Sequence, residues 1–384
     1  MSEAIFKLLS KKKIKSTTAS KVPTVERIPT GLANLDALLG GGIPMGRMVE
    51  IFGPESGGKT TLSGLILQIN RARGKTGVFL DLERSMDKES LTRLGLLDSD
   101  EEGVSNIIVI EPASGEQALE AMMVIMESMD NCIFVLDSVG AINSEAKLAE
   151  DDLTKASVGV VASLLTRTLD RLTFLCARTN STIIFINQVR DKIGSYVPML
   201  NTPGGHKLKH CLTIRIQVSK LKVMPSKEGM SVRIKIEKNK LGAPFGITEA
   251  DLYYDETPEH VAGFDPISAL ITFSKEMEVI KKSGPWYGFP NPELLGLEPN
   301  TDDGRFRMSN AGKGAMYTYL HKNPDLQDIV YKLALEVFTS KKYISDIKEF
   351  EEDTTDSEFE NDTQILVIPT DNKDALTIPT SKPN

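Results

Sequence analysis

Five short runs in the first half of the chain limit what it can fold into. Met48–Phe52, Gly77–Leu82, Ile107–Ile110, Ile133–Leu136 and Ile183–Ile186 are stretches rich in Ile, Val, Phe and Leu. A strand with one face in water alternates apolar and polar residues. These runs do not, so both faces of each must be covered. Between them Thr60–Ala72, Glu116–Met129 and Ser157–Arg178 carry helical periodicity. Segments 212–218, 231–237 and 250–254 read as further strands. In the second of these Arg233, Lys235 and Glu237 alternate with Val232, Ile234 and Ile236, the pattern of an antiparallel edge with one solvated face. The expected fold class is α/β, with a mainly parallel central sheet flanked by helices.

The first run ends in Gly53-Pro54-Glu55-Ser56-Gly57-Gly58-Lys59-Thr60, followed by Thr61. The pattern G-x-x-x-x-G-K-T between a buried strand and a helix predicts a phosphate cradle, and with it ATP and Mg²⁺. The glycines let the backbone turn tightly, so that N–H groups converge on a phosphate, and the helix that opens near Lys59 adds the positive end of its dipole. Lys59 would reach the β- and γ-phosphates, and the Thr60 hydroxyl would ligate Mg²⁺.

Two acidic positions complete a hydrolytic site. The run Ile133–Leu136 ends in Asp137, and a carboxylate at the carboxyl end of a strand beside the cradle suits the Mg²⁺ shell. The run Val78-Phe79-Leu80 leads into Asp81-Leu82-Glu83. Glu83 is placed to orient or deprotonate an attacking water. Its spacing alone leaves a plain surface acid as the other reading.

Bulk properties bound the rest. The 384 residues suggest two or three domains, at 40% hydrophobic and 26% charged. No apolar run approaches the ~18 residues of a membrane span, so no membrane partner is expected. Cys132, Cys176 and Cys211 lack paired spacing, which fits a reducing cytoplasm. The net charge of −8 is local: residues 345–362 hold nine acids and the single base Lys348. The remainder is near neutral and free to meet an anionic partner. The organisation expected is a short N-terminal segment (1–27) with Ile5, Leu8 and Leu9 at helical spacing, and a core (28–262). A small C-terminal α+β module (263–344) with helices at 265–282 and 325–340 follows, then an acidic unstructured tail (345–384).

Taken in order, Gly53–Thr61, Asp81-x-Glu83, Leu136-Asp137-Ser138-Val139 and Ile186-Asn187-Gln188-Val189-Arg190 closely resemble the RecA recombinases. So do Lys192-Ile193-Gly194, Gly204-Gly205, Lys238-Asn239-Lys240 and Ala243-Pro244-Phe245, with Trp286-Tyr287 in the small module. The resemblance runs from about Ile28 to about residue 340. It implies that Glu83 is the catalytic glutamate and that Gln188 senses the γ-phosphate and leads into a DNA-binding loop from Val189 to about His206. A second DNA-facing loop would occupy about Glu145–Val158. Lys238 and Lys240 would reach the ATP of an adjacent subunit, Asp87 would touch the adenine side, and Tyr254 would lie near the nucleotide. Three departures mark a divergent member: Gly57 for serine, Ser90 for tyrosine, and His210 for an aromatic residue.

The residues of the long loop suit that role on their own chemistry. Arg190, Lys192 and Lys207 are cations for phosphates, and Gly194, Gly204 and Gly205 make the segment pliable. Tyr196 and Met199 are candidate wedges between bases. The function expected is a DNA-dependent ATPase that polymerises on single-stranded DNA, pairs it with a homologous duplex and exchanges strands, as a helical homo-oligomer. The alternative is an ATP-binding regulatory protein of the same fold that lacks strand exchange.

Overall fold

The computed structural model describes residues 2–14, 16–97, 106–142, 160–189, 202–257 and 260–355. The chain divides into two compact units, Met1–Thr339 and Ser340–Asn384. A ribbon of β1 (Arg27–Ile28) and β2 (Ile43–Pro44) precedes the main sheet. The sheet strands are β3 (Met48–Gly53), β4 (Thr76–Asp81), β5 (Ile107–Ile110), β6 (Cys132–Asp137), β7 (Thr182–Gln188), β8 (Ile214–Val223), β9 (Gly229–Asn239), β10 (Ile247–Tyr253) and β11 (Gly263–Phe264). Among the described residues they pair in the order β11-β10-β9-β8-β3-β7-β6-β4-β5. From β8 to β5 the pairing is parallel, and β9, β10 and β11 extend it antiparallel.

The unbroken apolar runs of β3, β4, β6 and β7 become strands covered on both faces because each feeds two cores; β5, at the sheet edge, was expected to be covered likewise but leaves Ile108 exposed. Val49, Ile51, Phe79, Ile133, Val135, Ile184 and Ile186 face one layer, with Leu62, Leu65 and Ile66 of the helix Lys59–Arg71. Met48, Val78, Leu80, Phe134, Leu136, Ile183 and Phe185 face the other. There they meet Leu119, Met122 and Met126 of the helix Gly115–Ser128 and Leu165, Leu169 and Leu172 of the helix Val160–Thr179, at the three- and four-residue spacing of one helical face. Along β9 the expected alternation holds, with Val232, Ile234 and Ile236 buried, but the strand is not the expected edge: β8 and β10 pair with it on either side.

The C-terminal module has its own core, including Ile267, Leu270, Phe273, Ile280, Phe289, Met316, Leu320 and Val330. Ala33 and Ala37 of the helix Ala33–Leu39 belong to this core, while Leu32, Leu35 and Leu39 face the main one. That helix is therefore shared. The helix expected over 265–282 ends at Glu276. Glu278 takes a left-handed φ of 64°, Val279 and Ile280 turn inward, and Lys281–Ser283 pairs with Trp286–Phe289 across Gly284-Pro285. The helix Pro324–Thr355 enters the acidic segment, and 356–384 lie outside the described residues. In the N-terminal helix Ser2–Lys11, Ile5 and Leu8 are exposed. Among the described residues, no helix is long and apolar enough to cross a membrane.

Asp36 is buried in the shared helix. It accepts hydrogen bonds from Thr30 N at 2.8 Å and Tyr331 Oη at 3.1 Å. Burial pushes its pKa up to about 6 against the opposing hydrogen bonds. An unfolded Asp titrates near ~3.9, so between about pH 4 and 6 the native state holds a proton that the unfolded chain has lost. The sign follows: this contribution is fully present below the unfolded value and is lost as pH rises through the folded value, on the order of 3 kcal/mol. Asp36→Asn keeps an acceptor for Thr30 N and offers an N–H to Tyr331. Its melting temperature relative to the parent protein is expected to rise between pH 5 and pH 8. A difference that stays constant with pH would refute this assignment.

Candidate functional site

The sheet order reverses around β3, and its carboxyl end is where an open α/β sheet offers a crevice. The glycine-rich loop leaves β3 there. A Cβ on Gly53 would lie 1.9 Å from the Val218 carbonyl oxygen, and one on Gly58 (φ +92°) would lie 2.9 Å from Leu252 Cδ1. Backbone from β8 thus presses on the loop, and only glycine fits at Gly53. At Gly57, where a serine was expected, a Cβ would meet both Pro54 O and Val218 O at 3.2 Å. A side chain there would need those two carbonyls to give by a few tenths of an ångström. Pro54, Glu55 and Ser56 are exposed at the tip. Gly58 caps the helix Lys59–Arg71 without a side-chain hydrogen bond, so no cap side chain competes for the first N–H groups, which remain available to an anion.

Lys59 is buried, and its Nζ donates to Pro54 O at 2.6 Å. Burial lowers its pKa, with Asp137, Glu83 and Glu55 opposing. Thr60 Oγ1 donates to Asp137 Oδ2 at 2.7 Å. Asp137 is buried, and desolvation raises its pKa to about 6. The Thr60 hydrogen bond opposes this, and the charges of Glu83 and Asp81 add to it. A hydroxyl and a carboxylate held together beside two further acids fit a divalent cation, which would relieve that repulsion.

Asp81 and Asp137 end neighbouring strands in register. Asp81 Oδ2 accepts from Met86 N at 2.7 Å, and its Oδ1 is buried with no partner among the described residues. The chain turns out of β4 here, leaving Glu83 exposed, with Oε1 accepting from Ser138 Oγ. Sequence reasoning missed Ser138 as a partner. Its position directly after Asp137 was the available signal. Gln188 lies opposite Gly53 in the β3–β7 register, and Val189 N donates to Gly53 O at 3.4 Å. Lys59, Thr60, Asp137, Glu83 and Gln188 thus converge on one end of the sheet.

Thr61 and Tyr254 line a cleft of about 860 Å³ beside the loop, together with Gln68, Arg93 and Asp255. Asp87 is exposed and caps the helix Lys88–Arg93 by accepting from Ser90 N at 2.7 Å.

Lys238 and Lys240 lie elsewhere. Ile214 pairs with Val49 on one side and Asn239 on the other, which puts the two lysines level with the start of β3. Gly53 is about 13 Å further along that strand. Lys238 Nζ donates to Lys209 O at 2.5 Å and Lys240 Nζ to His210 O at 2.7 Å. These are carbonyls of the last turn of the helix Gly205–Cys211, the negative end of its dipole. Burial lowers the Lys238 pKa, and the neighbouring Lys240 and Arg215 charges act in the same direction.

Of the DNA-contact candidates, Gly204 (φ +101°) and Gly205 (φ +76°) start that helix. Lys207 pairs with Asp170 at 2.7 Å. Arg190, Lys192, Gly194, Tyr196 and Met199 lie outside the described residues, as do 143–159, which take in the expected first loop.

Comparison with known proteins identifies the family. The model of the RecA N-terminal domain matches residues 2–258. The RecA protein of Thermus thermophilus is 39% identical over 271 residues, covering 69% of this chain and 76% of the relative. That of Thermus aquaticus is 35% identical over 318 residues, covering 81% and 85%. That of Legionella pneumophila is 33% identical over 307 residues, covering 79% and 80%. The RadB recombinase structure aligns with a TM-score of 0.44 at 22% identity, over 59% of this chain and 96% of that one. A family model spanning residues 2–258 and relatives of this identity and coverage make the chain a member of the RecA family.

Proposed function

We propose that this protein is a DNA-dependent ATPase that forms filaments on single-stranded DNA and catalyses homologous pairing and strand exchange in recombination and repair. The observation that carries this is the register of Gln188 against Gly53. It ties the end of the phosphate loop to the strand that leads into the basic, glycine-rich segment 189–206.

The roles follow from the geometry. Gly53 to Thr61 would cradle ATP, with Lys59 exchanging its Pro54 carbonyl for phosphate oxygens. Thr60 and Asp137 would hold Mg²⁺, which neutralises phosphate charge when bound. Tyr254 and Asp87 are assigned to the nucleoside end. Glu83, positioned by Ser138, would take the proton of the attacking water. Gln188 would report on the γ-phosphate to Arg190, Lys192, Gly194, Tyr196, Met199, Gly204, Gly205 and Lys207 on the DNA side. Lys238 and Lys240 lie too far along the sheet to serve their own chain's cradle and are assigned to the ATP of a neighbouring subunit. The exposed Ile5 and Leu8 suit the N-terminal helix to docking on that neighbour. Three unpaired cysteines fit a cytoplasmic location.

The test is ATP hydrolysis with and without single-stranded DNA, paired with electron microscopy. Turnover stimulated by DNA, together with helical filaments, is expected. Nucleotide binding without stimulation would instead favour a regulatory ATP-binding protein.

A further inference from the structure

Glu50 lies in the middle of β3, three residues before the phosphate loop, with its side chain 0% exposed. A carboxylate there must be fully paired. Its Oε1 accepts from Asn187 Nδ2 at 2.9 Å, and its Oε2 accepts from Arg215 Nε at 2.5 Å. Arg215 also stacks on Phe52, 4.5 Å from the ring centroid, on the same face of β3 as Glu50.

The network extends to the chain that follows the 190–201 segment. Asn187 Nδ2 also donates to Pro203 O at 2.9 Å, and Arg215 Nη2 donates to Thr202 Oγ1 at 3.3 Å. Asn187 Oδ1 accepts from Gln188 N at 3.1 Å. The amide has one workable orientation, because a flip would set its oxygen against two acceptors. One buried side chain therefore grips the chain where it leaves β7 and where it returns.

We propose that Glu50, Asn187 and Arg215 are positioning residues that fix Thr202-Pro203 relative to Gln188. The described residues on either side, Gln188 and Thr202-Pro203, are thereby tied to the strand that carries the phosphate loop. Stability alone does not account for the cluster, since apolar residues of similar volume commonly replace a buried ion pair without loss. The consequence for DNA-stimulated turnover rests on the function proposed above; the anchoring itself does not.

Thr202→Val removes the hydroxyl and keeps the shape, Asn187→Ala removes the grip, and Thr202→Ser is the rescue. In the full chain, amide exchange over 202–211 is expected to quicken about ten-fold in the first two variants, the scale of one buried hydrogen bond. The melting midpoint should fall by only about 2–4 °C for Thr202→Val. The ratio of DNA-stimulated to DNA-free hydrolysis should fall about ten-fold and recover in Thr202→Ser. The salt dependence of DNA affinity should keep its slope, since no phosphate contact is removed. Unchanged exchange in both variants would overturn the anchor, and so would a proportional fall of both rates with the melting midpoint. If the parent protein shows no DNA stimulation, the proposed function fails, and amide exchange still decides the anchor.

Discussion

Exchanging Glu83 for Gln is expected to slow ATP turnover by about 10²–10⁴-fold, the usual contribution of a general base, while nucleotide-dependent filaments still form. The geometry favours a clean separation. Glu83 is exposed at the mouth of the site and touches Ser138 through an oxygen that Gln retains. Its charge also helps to raise the pKa of Asp137, so neutralising it makes Asp137 easier to ionise and does not weaken the cation site. Phosphate release measured beside equilibrium binding of a labelled nucleotide checks both halves. Normal hydrolysis by the variant would remove Glu83 from the chemistry.

The double change Lys238→Ala with Lys240→Ala is expected to lower DNA-stimulated hydrolysis by at least about 10²-fold, as losing preorganised donors at a developing charge does. The fold should survive. Each lysine caps a carbonyl of the helix Gly205–Cys211, and such contacts are worth about 0.3–1 kcal/mol each. A complementation experiment tests whether the lysines act across subunits. In a mixed filament, a Glu83→Gln subunit has intact lysines to offer a neighbour with an intact Glu83. Two preparations that are separately inactive should therefore regain turnover when mixed. Failure to recover would sink the assignment to a neighbour.

The sequence made the local features legible. Gly53–Thr60 follows a strand and opens a helix, and the Ile- and Val-rich runs form strands because no polar residue gives them a wet face. The long-range polar pairings were not legible. Glu50 looks like an isolated acid in an apolar run until Asn187 and Arg215 are brought beside it from two other strands. The resemblance gives Lys238 and Lys240 a neighbour's ATP to reach, but nothing in the sequence shows that their ammonium groups rest on helix carbonyls about 30 residues away in the chain. The helix expected over 265–282 stopped early because Val279 and Ile280 were needed in the module's core, a demand no local pattern announces.

The helix Gly205–Cys211 ends in a residue of practical use. Cys132 and Cys176 are buried, and burial raises both thiols above the ordinary range, Cys176 to about 12. Cys211 is partly exposed. A maleimide fluorophore added to the unmodified protein should therefore attach at Cys211 in preference to the other two. The label would sit one residue past the His210 carbonyl that Lys240 holds. It would report on the release of that lysine with no residue substituted.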